Sequence, residues 1–361
     1  MRNVEGVWAI LIMACAASCA QSSPAGPGSL VGSSTGVAST AETSAASPSS
    51  SGRTGSTSST RGPTSEAQES TSSGVEESSS SGAEPPIPST NPLLGIGQPE
   101  LIVGGLGFGE GPAWSREREL LFFSDVTNRI VYVVDESRVL VYLESSGGAD
   151  GLAIDGADRL YAAQIFDWTV SREEQPGTLV PLASEYEGNL LNAPNDLVVR
   201  SDGTVFFSDP TNTGHAPQGV AGVYKISPDG TVGLLDGSLA FPNGVALSSD
   251  EKTLYVADSA SHEIWSMELL ADGDVAGKAL FATIAGEPDG LAVDAAENLY
   301  ATDREGFHAY APTGELWGVV GLEEAEGAST NLAFGGVDGR TLFVTTSREL
   351  WRIEVEVPGF L

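Results

Sequence analysis

The chain reads as an all-β protein, a six-bladed β-propeller with four-stranded blades, and three observations lead there. Six stretches repeat one theme: Glu110 to Trp114 (EGPAW), Asp150 to Ile154 (DGLAI), Asn195 to Val199 (NDLVV), Asn243 to Leu247 (NGVAL), Asp289 to Val293 (DGLAV) and Asn331 to Phe334 (NLAF). The leading residues are 40, 45, 48, 46 and 42 positions apart, and a period in the forties with strand-like content marks a propeller blade. A second β-rich run ends at Asp125, Gln164, Asp209, Asp258, Asp303 and Thr346, which lie 15, 14, 14, 15, 14 and 15 residues after the six anchors. Aromatic and β-branched residues on either side of tight turns make each pair of runs a hairpin.

Taken in order, the N-terminus reads as an export signal. Arg2 is followed by the apolar run Val7 to Ala14 and then by Ala16, Ala17 and Ser18 before Cys19. This stretch is too short for a permanent membrane span. It resembles a lipoprotein signal over residues 1–19, with Cys19 as the lipid-attachment residue. Cys15 is a second candidate, and an ordinary cleaved signal is the alternative. Residues 20–96 are dominated by Ser, Thr, Gly and Pro and lack the apolar surface that would offset ordering entropy. They are expected to form a disordered tether. The propeller is expected over residues 97–361.

Within that domain Glu100 to Val103 (ELIV) precedes the first anchor and suits the strand that closes the ring, because the last unit has little room beyond its hairpin. Closure removes an exposed sheet edge. Innermost strands of a propeller all run the same way, so their starting residues gather at one mouth of the central channel. The ends of the second runs return to that mouth, where their Asp residues are expected to brace loops.

The 361 residues carry a formal net charge of −32, and the two cysteines, Cys15 and Cys19, both lie in the signal. The folded part therefore has no disulfide or thiol chemistry. The acidic balance excludes a nucleic-acid partner, whose phosphates need Lys and Arg. Membrane contact is expected only through the lipid anchor, and a monomer is the expected state.

The anchors Glu110, Asp150, Asn195, Asn243, Asp289 and Asn331 offer carboxylate and amide oxygens with no His or Cys. Such a set suits a hard divalent cation, and Ca2+ tolerates its irregular geometry. Zinc, copper and iron prefer nitrogen or sulfur. Each anchor taken alone is also an ordinary turn residue; it is the coincidence of six that points to a metal.

With these motifs in hand, residues 97–361 resemble the senescence-marker-protein/gluconolactonase/luciferin-regenerating-enzyme family. The likeness rests on the stretches beginning at Glu110, at Pro194 (PNDL), at Phe206 (FFSDP), at Phe241 (FPNG), at Pro288 (PDGL) and at Thr330 (TNLAFGG). It implies a divalent ion, most simply Ca2+, held by Glu110, Asn243 and Asp289. Asn195 would complete the shell or hold substrate, and Asp289 would be the general base. Asp150 and Gln164 would orient substrate hydroxyls. Ala193 stands where some relatives carry Arg for substrate, and His215, His262 and His308 all miss the anchor positions. The expected activity is an exported metal-dependent lactonase acting on a small, sugar-type lactone. The competing readings are an organophosphate or aryl-ester hydrolase on the same metal, and a lipid-tethered binding module without catalysis.

Overall fold

The computed structural model describes residues 91–135, 138–211 and 215–360. The signal, Cys15, Cys19 and most of the expected tether lie outside the described residues. Among the described residues there is no helix, and six four-stranded antiparallel sheets carry the fold. From the channel outward the first blade is Gly109–Ser115, Leu120–Asp125, Ile130–Asp135 and Arg138–Leu143. The innermost strands of the next four are Ala149–Ile154, Leu197–Val199, Pro242–Leu247 and Leu291–Val293. The sixth blade is Ser329–Gly335, Thr341–Thr346, Glu349–Glu354 and then Glu100–Gly104 from the other end of the chain. Innermost strands contact one another in a closed ring, with the sixth against the first.

The expected closing strand is therefore the observed one. Glu100 pairs with Arg352 and Gly104 with Glu349. The exposed Arg352 guanidinium donates to Glu100 at 2.7 and 2.9 Å, a contact worth about 0–1 kcal/mol. The ladder itself does more, since it covers the edge of the last blade. Packing begins a few residues before position 97: Leu93 and Ile96 join the core beside the sixth blade, and the Gly97 amide donates to Glu354 O at 2.7 Å.

The core is not one mass but six, one between each pair of neighbouring blades. Side chains alternate faces along a strand, so each second run sends successive residues to two different interfaces. Phe122 packs toward the second blade and Phe123 toward the sixth; Phe206 packs toward the fourth and Phe207 toward the second. All four are fully buried. Burial on both faces explains why these runs are continuously apolar rather than alternating. Exposed Leu140, Val141 and Val180 sit on the outermost strands, which have no neighbour on one side.

Truncating one such ring should cost about 3–5 kcal/mol by lost burial and an unfilled cavity. Urea unfolding of Phe207→Ala is expected to show that loss, whereas Leu140→Ala on an outer strand should stay within about 0.5 kcal/mol of the parent. Equal effects would contradict the two-interface core.

Candidate active site

The strand registers decide which residues share the mouth. Gly109 pairs with Asp125, Ala149 with Gln164, Pro242 with Asp258 and Ser329 with Thr346; the register shifts directly after the last three pairs, and after the Glu110–Ser124 pair in the first blade. The next residue in each strand then occupies one level: Glu110, Asp150, Asn243 and, in the sixth blade, Thr330. Asn195 and Asp289 take the same level in blades three and five by their pairings further along. The sixth anchor is thus Thr330, not Asn331. The sequence offset misassigned it because the sixth hairpin is one pair longer, running from Leu332–Val344 to Gly335–Thr341 where the second blade runs only from Leu152–Ala162 to Ile154–Leu160. Constant spacing does not guarantee constant register.

Hydrogen bonds join every blade to the next at this level. Ser124 Oγ donates to Asp150 O at 2.6 Å, and Gly151 N to Asn195 O at 2.7 Å. Val245 N donates to Asp196 Oδ2 at 3.0 Å, and Gly244 N to Asp289 O at 3.0 Å. Gly290 N donates to Thr330 O at 2.9 Å, and Thr330 Oγ1 to Gly109 O at 2.7 Å. The approach is too close for a side chain: a Cβ on Gly244 would lie 2.1 Å from Asp289 O. Glycine beside the anchors is therefore a packing requirement as well as a turn preference.

The ends of the second runs act as braces, as expected. Asp125 accepts from the Gly107 and Phe108 amides, Asp209 from Asn192 and Ala193, and Asp258 from Ala240 and Phe241, all within 3.1 Å. Each thereby fixes the segment that leads into the innermost strand of its own blade. Gln164 belongs to this group. Its Nε2 donates to Ser146 O at 2.8 Å, and its Oε1 accepts from the hydroxyls of Thr169 and Ser171. Both ends of the amide are engaged inside the second blade.

Glu110, Asp150 and Asp289 do converge. Glu110 is held well above the ordinary carboxylate range by burial and then by the charges of Asp150 and Asp289. Asp150 is likewise held up by burial and by Asp289 and Asp196. Burial and the neighbouring Asp196 push Asp289 up to about 8, against hydrogen bonding from Asn243. Asn195 Nδ2 donates to Asp150 Oδ2 at 3.2 Å. Asn243 Nδ2 donates to Ser259 Oγ at 3.1 Å, and Ser259 Oγ donates to Pro288 O, next to Asp289, at 2.5 Å. After burial, the charges that act on these acids are those of other acids, so the mouth gathers negative charge without a basic partner to offset it. A hard cation fits that donor chemistry. Among the described residues no three acidic, His or Cys side chains form a metal-holding group by themselves, so a cation here needs the amides of Asn195 and Asn243 as well.

Sequence reasoning missed Asp196, which is buried and raised to about 7 by that burial. The signal was available: the position after the anchor is Gly in four blades and a polar residue, Asp196 or Asn331, in the other two. None of the three histidines stands at an anchor, and His308 is a buried strand residue. His215 stacks on Trp168 with centroids 3.8 Å apart, His262 Nδ1 meets Gly286 O, and His308 Nε2 meets Asp303 at 2.8 Å.

Asp196 and Asp289 hold their protons more tightly folded than unfolded. Folding therefore takes up protons between about pH 4 and 8, and the associated stability is complete at the acid end and lost as pH rises through 7 to 8. Protein kept in chelator should unfold at lower urea at pH 8 than at pH 5, by at most about 1.4 kcal/mol per pH unit for each group. A flat profile would contradict the crowding of acids at the mouth.

Comparison with known proteins agrees with this geometry. Residues 108–348 match the family model for the SMP-30/Gluconolactonase/LRE-like region. Over 309 residues the chain is 29% identical to the gluconolactonase of Zymomonas mobilis, covering 75% of this chain and 85% of that protein. Over 259 residues it is 24% identical to the pentonolactonase XacC of Haloferax volcanii, covering 66% and 81%. The solved gluconolactonase from Xanthomonas campestris superposes with a TM-score of 0.67 at 29% identity, over 72% of this chain and 90% of that one. Regucalcin from Agrobacterium tumefaciens, described as calcium-binding, shares the fold at a TM-score of 0.63 and 20% identity, over 73% and 95%. On the match across all six blades, the chain belongs to the SMP-30/gluconolactonase/LRE-like family.

Proposed function

We propose that this protein is an exported, metal-dependent lactonase that opens a small, sugar-type lactone at the anchor mouth. The observation that carries the reading is the meeting of Glu110, Asp150 and Asp289, with Asn195 and Asn243, at one end of the channel in a chain whose relatives include lactonases. Glu110, Asn243 and Asp289 would hold the cation, with Asn195 completing the set. A bound divalent ion supplies Lewis-acid polarisation of the lactone carbonyl and eases the charge that builds on its oxygen.

The remaining steps belong to the chain. Asp289 is the general base: it takes a proton from the attacking water as the new carbon–oxygen bond forms. It returns that proton to the ring oxygen as the lactone carbon–oxygen bond breaks, leaving a hydroxy acid. Asn243 steadies Asp289 from the side, and Ser259 ties Asn243 to the Pro288 carbonyl. Asp150, fixed by Asn195, would receive substrate hydroxyls, while Gln164 supports the turn behind Asp150. Export and lipid attachment at Cys19 are part of the same proposal and rest on the signal-like N-terminus.

Elemental analysis of purified protein, followed by a lactone panel on the same sample, tests the reading. Hydrolysis should disappear in chelator and return with Ca2+. Asp289→Asn should retain the fold and lose about 10²–10⁴ in kcat, and Glu110→Gln should lose metal as well as activity. A metal-loaded protein inert across aldono-, aryl- and acyl-homoserine lactones would remove the lactonase; turnover of a phosphotriester instead would move the chemistry to phosphorus. Palmitate labelling of cells should mark the parent chain and not Cys19→Ser.

A further inference from the structure

Asp125, Asp209 and Asp258 each hold the two amides that stand third and second before the anchor of their own blade: Gly107 and Phe108, Asn192 and Ala193, Ala240 and Phe241. The fifth blade departs from this pattern. Its corresponding residues are Gly286 and Glu287, directly before Pro288 and Asp289. Asp303 does lie against Gly286, where a Cβ would come within 2.4 Å of Asp303 Oδ2. Its oxygens are taken elsewhere, however: Oδ2 accepts from His308 Nε2 at 2.8 Å and Oδ1 from Glu305 N at 2.9 Å. Among the described residues no hydrogen bond from the Gly286 or Glu287 amide reaches Asp303. The segment leading into Asp289 is therefore held by something other than the carboxylate of its own blade.

That hold comes from the fourth blade. The turn from Ser259 to His262 joins the strand Thr253–Asp258 to the strand Glu263–Leu269. Ser259 Oγ donates to Pro288 O at 2.5 Å, and His262 Nδ1 meets Gly286 O at 2.5 Å. A carbonyl only accepts, so Nδ1 carries the proton in this contact. The His262 carbonyl in turn accepts from Ile284 N at 3.0 Å. His262 has left-handed backbone, φ 60°, as do Arg129 and Trp168 at the same corner of the first and second blades. All three side chains reach the following blade. The Arg129 guanidinium lies 4.5 Å from the centre of the Phe166 ring, and Trp168 stacks on His215 at 3.8 Å. Of the three, His262 is the one that grips a segment running directly into an anchor. Arg304 also meets Glu287, at 3.1 and 3.3 Å, but from a half-exposed position where solvent weakens the contact. Asn243 donates to Ser259 Oγ at 3.1 Å, so a single turn connects Asn243 with the residues on either side of Glu287.

We propose that His262 is a positioning residue for Asp289. Its ring N–H fixes the Gly286 carbonyl from the neighbouring blade, and so sets where Asp289 stands relative to Asn243. The role of Asp289 as the base rests on the functional reading above; the hold on the segment before it does not.

The test compares two replacements in the full chain. His262→Gly keeps the left-handed backbone and removes the donor, whereas His262→Asn suits the same backbone and retains a side-chain N–H. His262→Gly is expected to lower kcat for lactone hydrolysis by about tenfold or more while KM changes by less than about threefold. It should also speed exchange of the Asp289 amide, which donates to Thr302 O, by about fivefold or more, with the Gly107 amide of the first blade unchanged. His262→Asn should bring kcat and Asp289 exchange back to within about threefold of the parent. If either kcat or Asp289 exchange in His262→Gly stays at the parent value, or if His262→Asn does no better than His262→Gly, the positioning role is overturned. A fall in kcat that only follows the folded fraction makes the contact structural and overturns it as well. Should the parent hydrolyse no lactone, Asp289 exchange in the same two variants still decides the positioning, so its failure is separable from that of the lactonase reading.

Discussion

The architecture depends on six innermost strands approaching within hydrogen-bonding distance of one another at a single level. Ser124, Gly151, Val245, Gly244, Gly290 and Thr330 supply the donors, and together they run the full circuit of blades. At such separations no β-carbon fits between Gly244 and the Asp289 carbonyl. The requirement for close approach and the choice of glycine are the same fact seen from structure and from sequence. Because the carbonyls of Asp150, Asn195, Asp289 and Thr330 are consumed by neighbours, these residues are fixed in register before their side chains do anything.

That rigidity has a chemical use. Carboxylates brought together without cations repel, and burial raises the cost further. A flexible mouth would relax by moving Glu110, Asp150 and Asp289 apart. Here the belt of blade-to-blade bonds holds them, and the braces at Asp125, Asp209 and Asp258 hold the segments that feed the belt. Burial and mutual repulsion then raise the proton affinity of these acids in the metal-free mouth, where a bound cation would relieve both. The six separate cores support this arrangement from outside, since each apolar interface resists the sliding of one blade against the next.

Much of this was legible in the chain. Blade count followed from the repeat, and the closing strand followed from a last unit too short to supply its own. The bracing Asp residues were readable because each ends a run that must return to the mouth. Asn331 was misplaced by one position because the sixth hairpin carries one more paired position than most of the others, and register is set by the ladder rather than by spacing in sequence. Gln164 looked open to substrate because it ends a second run, yet Ser146, Thr169 and Ser171 take up its amide. Asp196 was passed over because, in one dimension, it is only the residue after an anchor.

What the amino-acid sequence determined alone is what a local, periodic signal can encode: strand runs alternating between two buried faces, glycines at points of close approach, and an oxygen-bearing residue at the head of each unit. Only the tertiary structure decided which of those oxygens share a level and which are already engaged by neighbours. The anchors lie far apart in sequence and share a level only once the ring has closed, and closure is a property of all six blades together rather than of any repeat.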